Sequence, residues 1–222
     1  MRTKSPNCEP AGEAMPSGNP FESKSRSSYI NMKIFKAEFA KGIIGGDYST
    51  KDNLPQIAFL GRSNSGKSSV IGSLTGKKDL VRTSKTPGAT IEANFFRIND
   101  AFYLVDFPGY GFAKRSVAAR NRMIKRIFWY LEESNVRPKA IFLIIDGEVG
   151  ITKLDWEMIR HINDNKHNLI IIANKIDKVA STKRANRVLE IQEEVKEVQV
   201  LGYSAKTEQG KEALFEKIES YL

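Results

Sequence analysis

The sequence predicts an α/β fold: a mostly parallel sheet of about six strands, with helices on both faces and one antiparallel hairpin at an edge. Three observations support that class. Short apolar runs at 57–60, 140–146 and 168–173 have the length of buried strands and alternate with longer stretches of helical period. Two further runs, 93–98 and 101–105, are separated only by Asn99-Asp100, a pair suited to a tight hairpin turn. A loop rich in glycine and serine, 61–68, stands between the first buried run and a helix-forming segment.

Residues 1–29 are rich in Ser, Pro, Gly and Asn and lack apolar periodicity, which predicts a disordered tail ahead of a single domain at 30–222. A transit peptide is the competing reading; Glu9, Glu13 and Glu22 argue against it, because such signals are poor in acids. A first strand is expected at 34–39, followed by a glycine-rich connection and a turn at Asp52-Asn53-Leu54-Pro55. The buried strand 57–60 comes next, then the Gly/Ser loop and a helix from Gly66 to about Leu74. After the hairpin, Val117, Ile124, Phe128 and Leu131 recur at helical spacing, with Trp129 and Tyr130 on or beside that face, and the helix stops before Pro138. Strand 140–146, helix 153–165, strand 168–173, helix 181–194, strand 198–202 and helix 208–222 complete the alternation.

With 222 residues and 41% hydrophobic content, the chain can bury one substantial core. Its longest apolar run, 140–145, is far shorter than the roughly 18 residues a membrane-spanning helix needs, so no membrane segment is expected. The single cysteine, Cys8, rules out an intramolecular disulfide and fits a reducing compartment, the cytoplasm or the interior of an organelle. The net charge of +9 is concentrated: residues 61–126 hold 13 Lys or Arg against four acids, while the rest of the chain has 22 of each. A charge serving only solubility would be spread out. This one favours an anionic partner.

Gly61, Arg62, Ser63, Asn64, Ser65, Gly66, Lys67 and Ser68 fit the pattern of a glycine, four residues, then Gly-Lys-Ser, in the strand–loop–helix setting that a phosphate loop requires. Backbone amides and the helix start at Ser68 and Ser69 would cradle phosphates, Lys67 would reach the β and γ groups, and the Ser68 hydroxyl would coordinate magnesium. Asp106 ends an apolar strand and precedes Phe107, Pro108 and Gly109. Its carboxylate would hold magnesium through water, and the Gly109 amide would contact the γ-phosphate. Asn174, Lys175, Ile176 and Asp177 end another strand, at the edge where open α/β sheets take ligands. Asp177 can accept hydrogen bonds from the guanine N1 and amino groups; adenine lacks that donor pair and would leave the carboxylate unpaired. Asn174 would hold O6 and buttress neighbouring loops, and the Lys175 stem would pack along the base. Tyr203-Ser204-Ala205-Lys206 would present the Ala205 amide to O6. These segments together describe one site for GTP or GDP with Mg2+.

Their order resembles the translation-factor branch of small GTPases, and more narrowly the EngB (YihA/YsxC) family of ribosome-assembly GTPases, from about Lys33 to the C-terminus. The marks are GRSNSGKSS at 61–69, RTSKTPGAT at 82–90, NFF at 94–96 and DFPGYGFAK at 106–114. The resemblance implies a P-loop GTPase domain in which Gly88, Ala89 and Thr90 form a switch segment and Thr90 joins Ser68 and Asp106 at the metal. It assigns catalysis to Lys67, Thr90 and Gly109. It also implies a monomer acting in assembly of the large ribosomal subunit, and so in normal growth and division. Ser65 stands where the family usually has valine, Ile91-Glu92 where glutamine and an aliphatic are usual, and Asn174 where a threonine is frequent.

In Ras-type proteins a glutamine follows the DxxG segment and orients the attacking water; Tyr110 stands there in this chain, so slow intrinsic hydrolysis is expected. In related potassium-activated GTPases an asparagine at the place of Asn64 helps ligate K+ near the β and γ phosphates, though asparagine also simply tolerates left-handed turns. Lys114, Arg115, Arg120, Arg122, Lys125 and Arg126 cluster beyond the DFPG segment, with Arg115, Arg122 and Arg126 expected on one helix face. Such a stripe suits ribosomal RNA phosphates, or is an ordinary solvated face. A signalling GTPase acting on protein effectors is the alternative class; Cys8 offers no lipidation motif for it. An ATPase or kinase is a third, opposed by Asp177. His161 and His167 lack partners at ligand spacing and are expected on the surface, as is the acidic stretch 190–197.

Overall fold

The computed structural model describes residues 33–43, 48–77, 80, 93–111, 117–132 and 136–222, all within the unit Asn31–Leu222. The tail expected at 1–29 lies outside the described residues. Seven described strands form one sheet: β1 (Ala37–Ile43), β2 (Gln56–Gly61), β3 (Ala93–Ile98), β4 (Phe102–Asp106), β5 (Ala140–Asp146), β6 (Leu169–Asn174) and β7 (Gln199–Gly202). Their order is β1-β3-β4-β2-β5-β6-β7. β4, β2, β5, β6 and β7 run parallel, and β3 is antiparallel to both β4 and β1.

The hairpin therefore lies one strand in from the edge, with β1 outside it. β1 starts three residues later than the expected 34–39 because Asn99 intervenes. The Asn99 Oδ1 accepts from the amides of Phe35 and Lys36 at 3.0 and 3.1 Å, so the turn side chain takes these donors before the ladder begins. Phe35 is left 81% exposed.

Five described α-helices cover the two faces: α1 (Lys67–Thr75), α2 (Val117–Glu132), α3 (Lys153–Asp164), α4 (Arg184–Val195) and α5 (Lys211–Glu219). The two-residue strand period sorts the core between them. Ile57 and Phe59 of β2 pack with Val70 and Ile71 of α1 and Leu214 of α5. Ala58 and Leu60 point the other way, into a core shared with Ile127 of α2, Met158 of α3 and Ile191 of α4. Each fully buried side chain of this size contributes roughly 1.5–3 kcal/mol, so the all-apolar central strands anchor the fold.

α2 is rotated from the expected face. Val117 is 64% exposed, while Met123, Ile127, Tyr130 and Leu131 are buried. Tyr130 sets that rotation: its hydroxyl donates to the Gln56 Oε1 at 3.1 Å, and its ring lies 4.8 and 4.9 Å from those of Tyr48 and Phe107. α5 begins later than expected because Glu208 and Gly210 adopt positive φ, 62° and 83°. Residues 181–183, expected in α4, form a separate 3-10 turn before it.

Of the two histidines expected on the surface, His167 is buried and His161 half-buried. The His167 Nε2 lies 2.8 Å from the Leu131 carbonyl, and His161 stacks on Phe128 with centroids 3.4 Å apart. Among the described residues, no three His, Cys, Asp or Glu side chains are grouped to hold a metal, and no helix is long and apolar enough to cross a membrane.

Candidate nucleotide site

The ends of β4, β2, β5, β6 and β7 lie side by side, so the loops that follow them leave the same edge of the sheet. The loop after β2 enters α1 through Gly66, whose φ of 92° and lack of a side-chain cap leave the first helical amides facing outward. A Cβ at Gly66 would meet the Asn174 Nδ2 at 2.2 Å, so glycine alone permits this approach. Asn64, exposed and also left-handed at φ 70°, forms the outer bend, and the Ser65 amide closes the turn onto the Arg62 carbonyl at 3.1 Å.

The segment after β4 is zipped to this loop. The Tyr110 amide donates to the Gly61 carbonyl at 3.3 Å and its carbonyl accepts from Ser63 at 2.7 Å, while the Ser63 hydroxyl donates to the Gly109 carbonyl at 3.0 Å. A Cβ at Gly109 would stand 3.0 Å from the Ser63 backbone, which explains glycine there. Lys67 Nζ, from α1, pairs with the Asp106 Oδ1; both side chains are buried. Tyr110 itself turns into the core. Its hydroxyl donates to the Asp155 Oδ1 at 2.8 Å, and burial, reinforced by that carboxylate, pushes the phenol well above its ordinary pKa. Asp155 is fixed in turn by the amide and hydroxyl of Thr152 at 3.0 and 2.7 Å, a capping box at the start of α3.

At the other end, the buried Asn174 ties two loops together. Its Nδ2 donates to the Ser65 carbonyl at 3.0 Å and its Oδ1 accepts from the Ala205 amide at 3.2 Å. Of its two expected roles, the structure displays the buttressing one. Lys175, left-handed at φ 63°, reaches the Asn64 carbonyl and the Asp146 Oδ2, the latter at 2.8 Å. Burial acts to raise the Asp146 carboxyl, but the bond and charge of Lys175 together with bonds from the Glu148 and Val149 amides outweigh it, leaving the group below its usual range. The Asp177 Oδ1 accepts from the Ser204 hydroxyl at 2.6 Å, and Ser204 is itself fully buried and held by the Thr207 amide at 3.1 Å.

The structure thus gathers residues 61–69, Asp106, Pro108, Gly109, Asn174, Lys175, Asp177, Ser204 and Ala205 along one edge. Phe107 and Tyr203 send their side chains into opposite cores and can offer only backbone; the Tyr203 hydroxyl lies 2.8 Å from the Ser73 Oγ. Gly88, Ala89, Thr90, Lys114 and Arg115 lie outside the described residues. On α2, Arg122 and Lys125 are exposed, but Arg126 and Arg120 are half-buried, so Arg126 sits off the expected stripe. Sequence reasoning passed over Asp146 and Asp155, and took Asn94 only as part of a family mark, without its place beside Asp106. The Thr152-x-x-Asp155 spacing was a usable signal for one of them.

The residues present fit magnesium. Asp106 and the exposed Ser68 hydroxyl give one carboxylate and one neutral oxygen, and Mg2+ is commonly held by one or two carboxylates with phosphates and waters completing its shell. The Asn94 Oδ1, directly across the ladder from Asp106, is buried with no hydrogen-bond partner among the described residues.

Residues 56–175 match the family model described as 50S ribosome-binding GTPase. A probable GTP-binding protein EngB from Heliobacterium modesticaldum is 37% identical over 193 residues, 86% of this chain and 94% of its own. The protein of the same name from Fusobacterium nucleatum is 37% identical over 194 residues, 86% of this chain and 99% of its own. Among solved structures, a probable GTP-binding protein EngB matches with a TM-score of 0.62 at 28% identity, covering 75% of this chain and 97% of that one. Aquifex aeolicus Era bound to GDP and AlF4 matches at 0.58 and 25%, covering 76% and 57%. With a phosphate loop, a DxxG segment and an NKxD–SAK pair on one sheet edge, and relatives matched across most of its length, this chain belongs to the EngB family of P-loop GTPases.

Proposed function

We propose that the protein binds GTP and GDP with Mg2+ at this edge, hydrolyses GTP slowly, and acts as a nucleotide-dependent switch in assembly of the large ribosomal subunit. The observation that carries the nucleotide reading is the Asp177 carboxylate, pinned by Ser204 at 2.6 Å at the end of the loop that Asn174 ties to the phosphate loop. A half-buried carboxylate so oriented recognises a base with two adjacent donors, which is guanine. Water attacks the γ-phosphorus in line, the bond to the bridging oxygen breaks, and GDP leaves with that electron pair.

Lys67 exchanges Asp106 for the β and γ oxygens, and the α1 amides hold the same phosphates. Ser68, Thr90 and Asp106 hold magnesium, which when bound withdraws charge from the phosphate oxygens. The Gly109 amide contacts the γ-phosphate. Tyr110 offers no substitute for a water-orienting glutamine, because its hydroxyl is committed to Asp155. Slow turnover follows, until another element supplies what is missing. Potassium beside Asn64 is one such element: turnover in KCl and NaCl at equal ionic strength, with Asn64→Ala alongside, tests it, and equal rates refute it.

The ribosomal part rests on the family match and on the exposed cations Arg122 and Lys125, on the helix that follows the DFPG segment. It implies a cytoplasmic setting, or an organellar one in a eukaryote. Sedimentation with large subunits, with GTP analogue, with GDP and without nucleotide, across a salt series, tests this directly. Retention should depend on nucleotide, fall steeply with salt and weaken on charge reversal at Arg122 and Lys125. Retention indifferent to all three overturns it.

A further inference from the structure

We propose that Asn94 is a positioning residue for the metal site, its side-chain oxygen accepting a hydrogen bond from a water bound to the magnesium that Asp106 holds. The inference rests on the magnesium role proposed above for Asp106. Asn94 and Asp106 are direct partners in the antiparallel β3–β4 ladder, so their side chains leave the same face of the sheet. Phe96 and Ile98 of β3, with Phe102 and Leu104 of β4, share that face and pack in the α1 core. It is the face from which Lys67 reaches Asp106.

Directly opposed residues of such a pair have Cβ atoms roughly 5 Å apart, which puts the Asn94 carboxamide beside the Asp106 carboxylate. A carboxamide oxygen can only accept, and this one is buried with no donor among the described residues. An acceptor orphaned in that way costs free energy unless a ligand supplies the donor. Lys67 is committed to Asp106, and passes to phosphate when nucleotide binds. A metal-bound water is a strong donor, and magnesium keeps several of them because it dehydrates reluctantly. Partners in this outer layer commonly change metal affinity by about 10–100-fold.

The test uses the full chain loaded with fluorescent GDP, comparing native protein with Asn94→Leu, Asn94→Asp and Asp106→Asn. GDP dissociation is followed across a Mg2+ titration and in EDTA, and urea unfolding is measured without nucleotide. Asn94→Leu keeps the size but has no acceptor. It should need roughly tenfold more Mg2+ for half-maximal retention, release GDP at the native rate in EDTA, and unfold at no lower urea concentration than native. Asn94→Asp keeps an acceptor and adds a second carboxylate, so it should need no more Mg2+ than native. Asn94→Ala carries the same expectation as the leucine variant if the larger apolar group disturbs the strand. A native midpoint in the leucine or alanine variant, with a shifted one in Asp106→Asn, overturns the Asn94 inference and leaves the magnesium reading standing. An unshifted midpoint in Asp106→Asn overturns both.

Discussion

Replacing Tyr110 by phenylalanine removes one oxygen and nothing else from the core. Tyr110 and Asp155 are each 1% exposed, and their oxygens are 2.8 Å apart, so the lost bond is one from a buried donor to a buried carboxylate. Such bonds contribute roughly 1.5–3 kcal/mol. Asp155 keeps both bonds from Thr152, which places the expected loss near the middle of that range, about 2 kcal/mol. For a domain of this size that corresponds to a fall in Tm of roughly 4–8 °C. Urea and thermal unfolding of Tyr110→Phe, Asp155→Asn and the double variant measure it, and the cycle should return a coupling of the same size. GTP turnover by Tyr110→Phe should stay near native, since the hydroxyl is committed to Asp155. Stability within about 0.5 kcal/mol of native or a large drop in turnover with stability intact would refute the reasoning, because the hydroxyl would then be acting elsewhere.

Gly66→Ala imposes a side chain at φ 92° and 2.2 Å from Asn174, and should cost about 2 kcal/mol or more while weakening GDP binding; unfolding and a GDP titration report both. Asn174→Ala leaves the Ser65 carbonyl and the Ala205 amide without their partner, and should destabilise by about 2–3 kcal/mol in urea unfolding, with a matching loss of nucleotide affinity. His167 is held below its ordinary value of 6.5 by burial, with the charges of Arg137 and His161 adding to the effect and its bond to Leu131 opposing it. The unfolded chain therefore takes up that proton first as pH falls. The histidine's contribution to stability is present above its ordinary value and lost as pH drops through the depressed folded one. His167→Gln should flatten the stability–pH curve below 6.5, and an unchanged slope contradicts the assignment.

The parts of this molecule that were legible in its sequence are those where one residue type answers one local demand. The phosphate loop is such a case: a strand, a left-handed glycine and a lysine at the helix start are neighbours in the chain as well as in space. The central strands were legible because burial on both faces leaves apolar runs. β1 was misplaced because it is an exposed edge strand whose start is decided by a distant side chain, Asn99. α2 was turned to the wrong face because Tyr130 buries a polar tip that finds Gln56, a pairing that apolar spacing does not weigh. Ties such as Tyr110 to Asp155, Lys175 to Asp146, and the facing of Asn94 and Asp106 arise only when strands are set in register. They connect residues 45, 29 and 12 positions apart, beyond any local pattern.

The central claim is that this edge of the sheet reads guanine through Asp177. Competition against fluorescent GDP, with unlabelled GTP, GDP and ATP in Mg2+ and with Asp177→Ala beside the native chain, tests it most directly. The account predicts that GTP and GDP displace the probe while ATP competes at least ~1,000-fold more weakly, and that Asp177→Ala loses this discrimination. ATP competing within about tenfold of GTP on the native protein would contradict it.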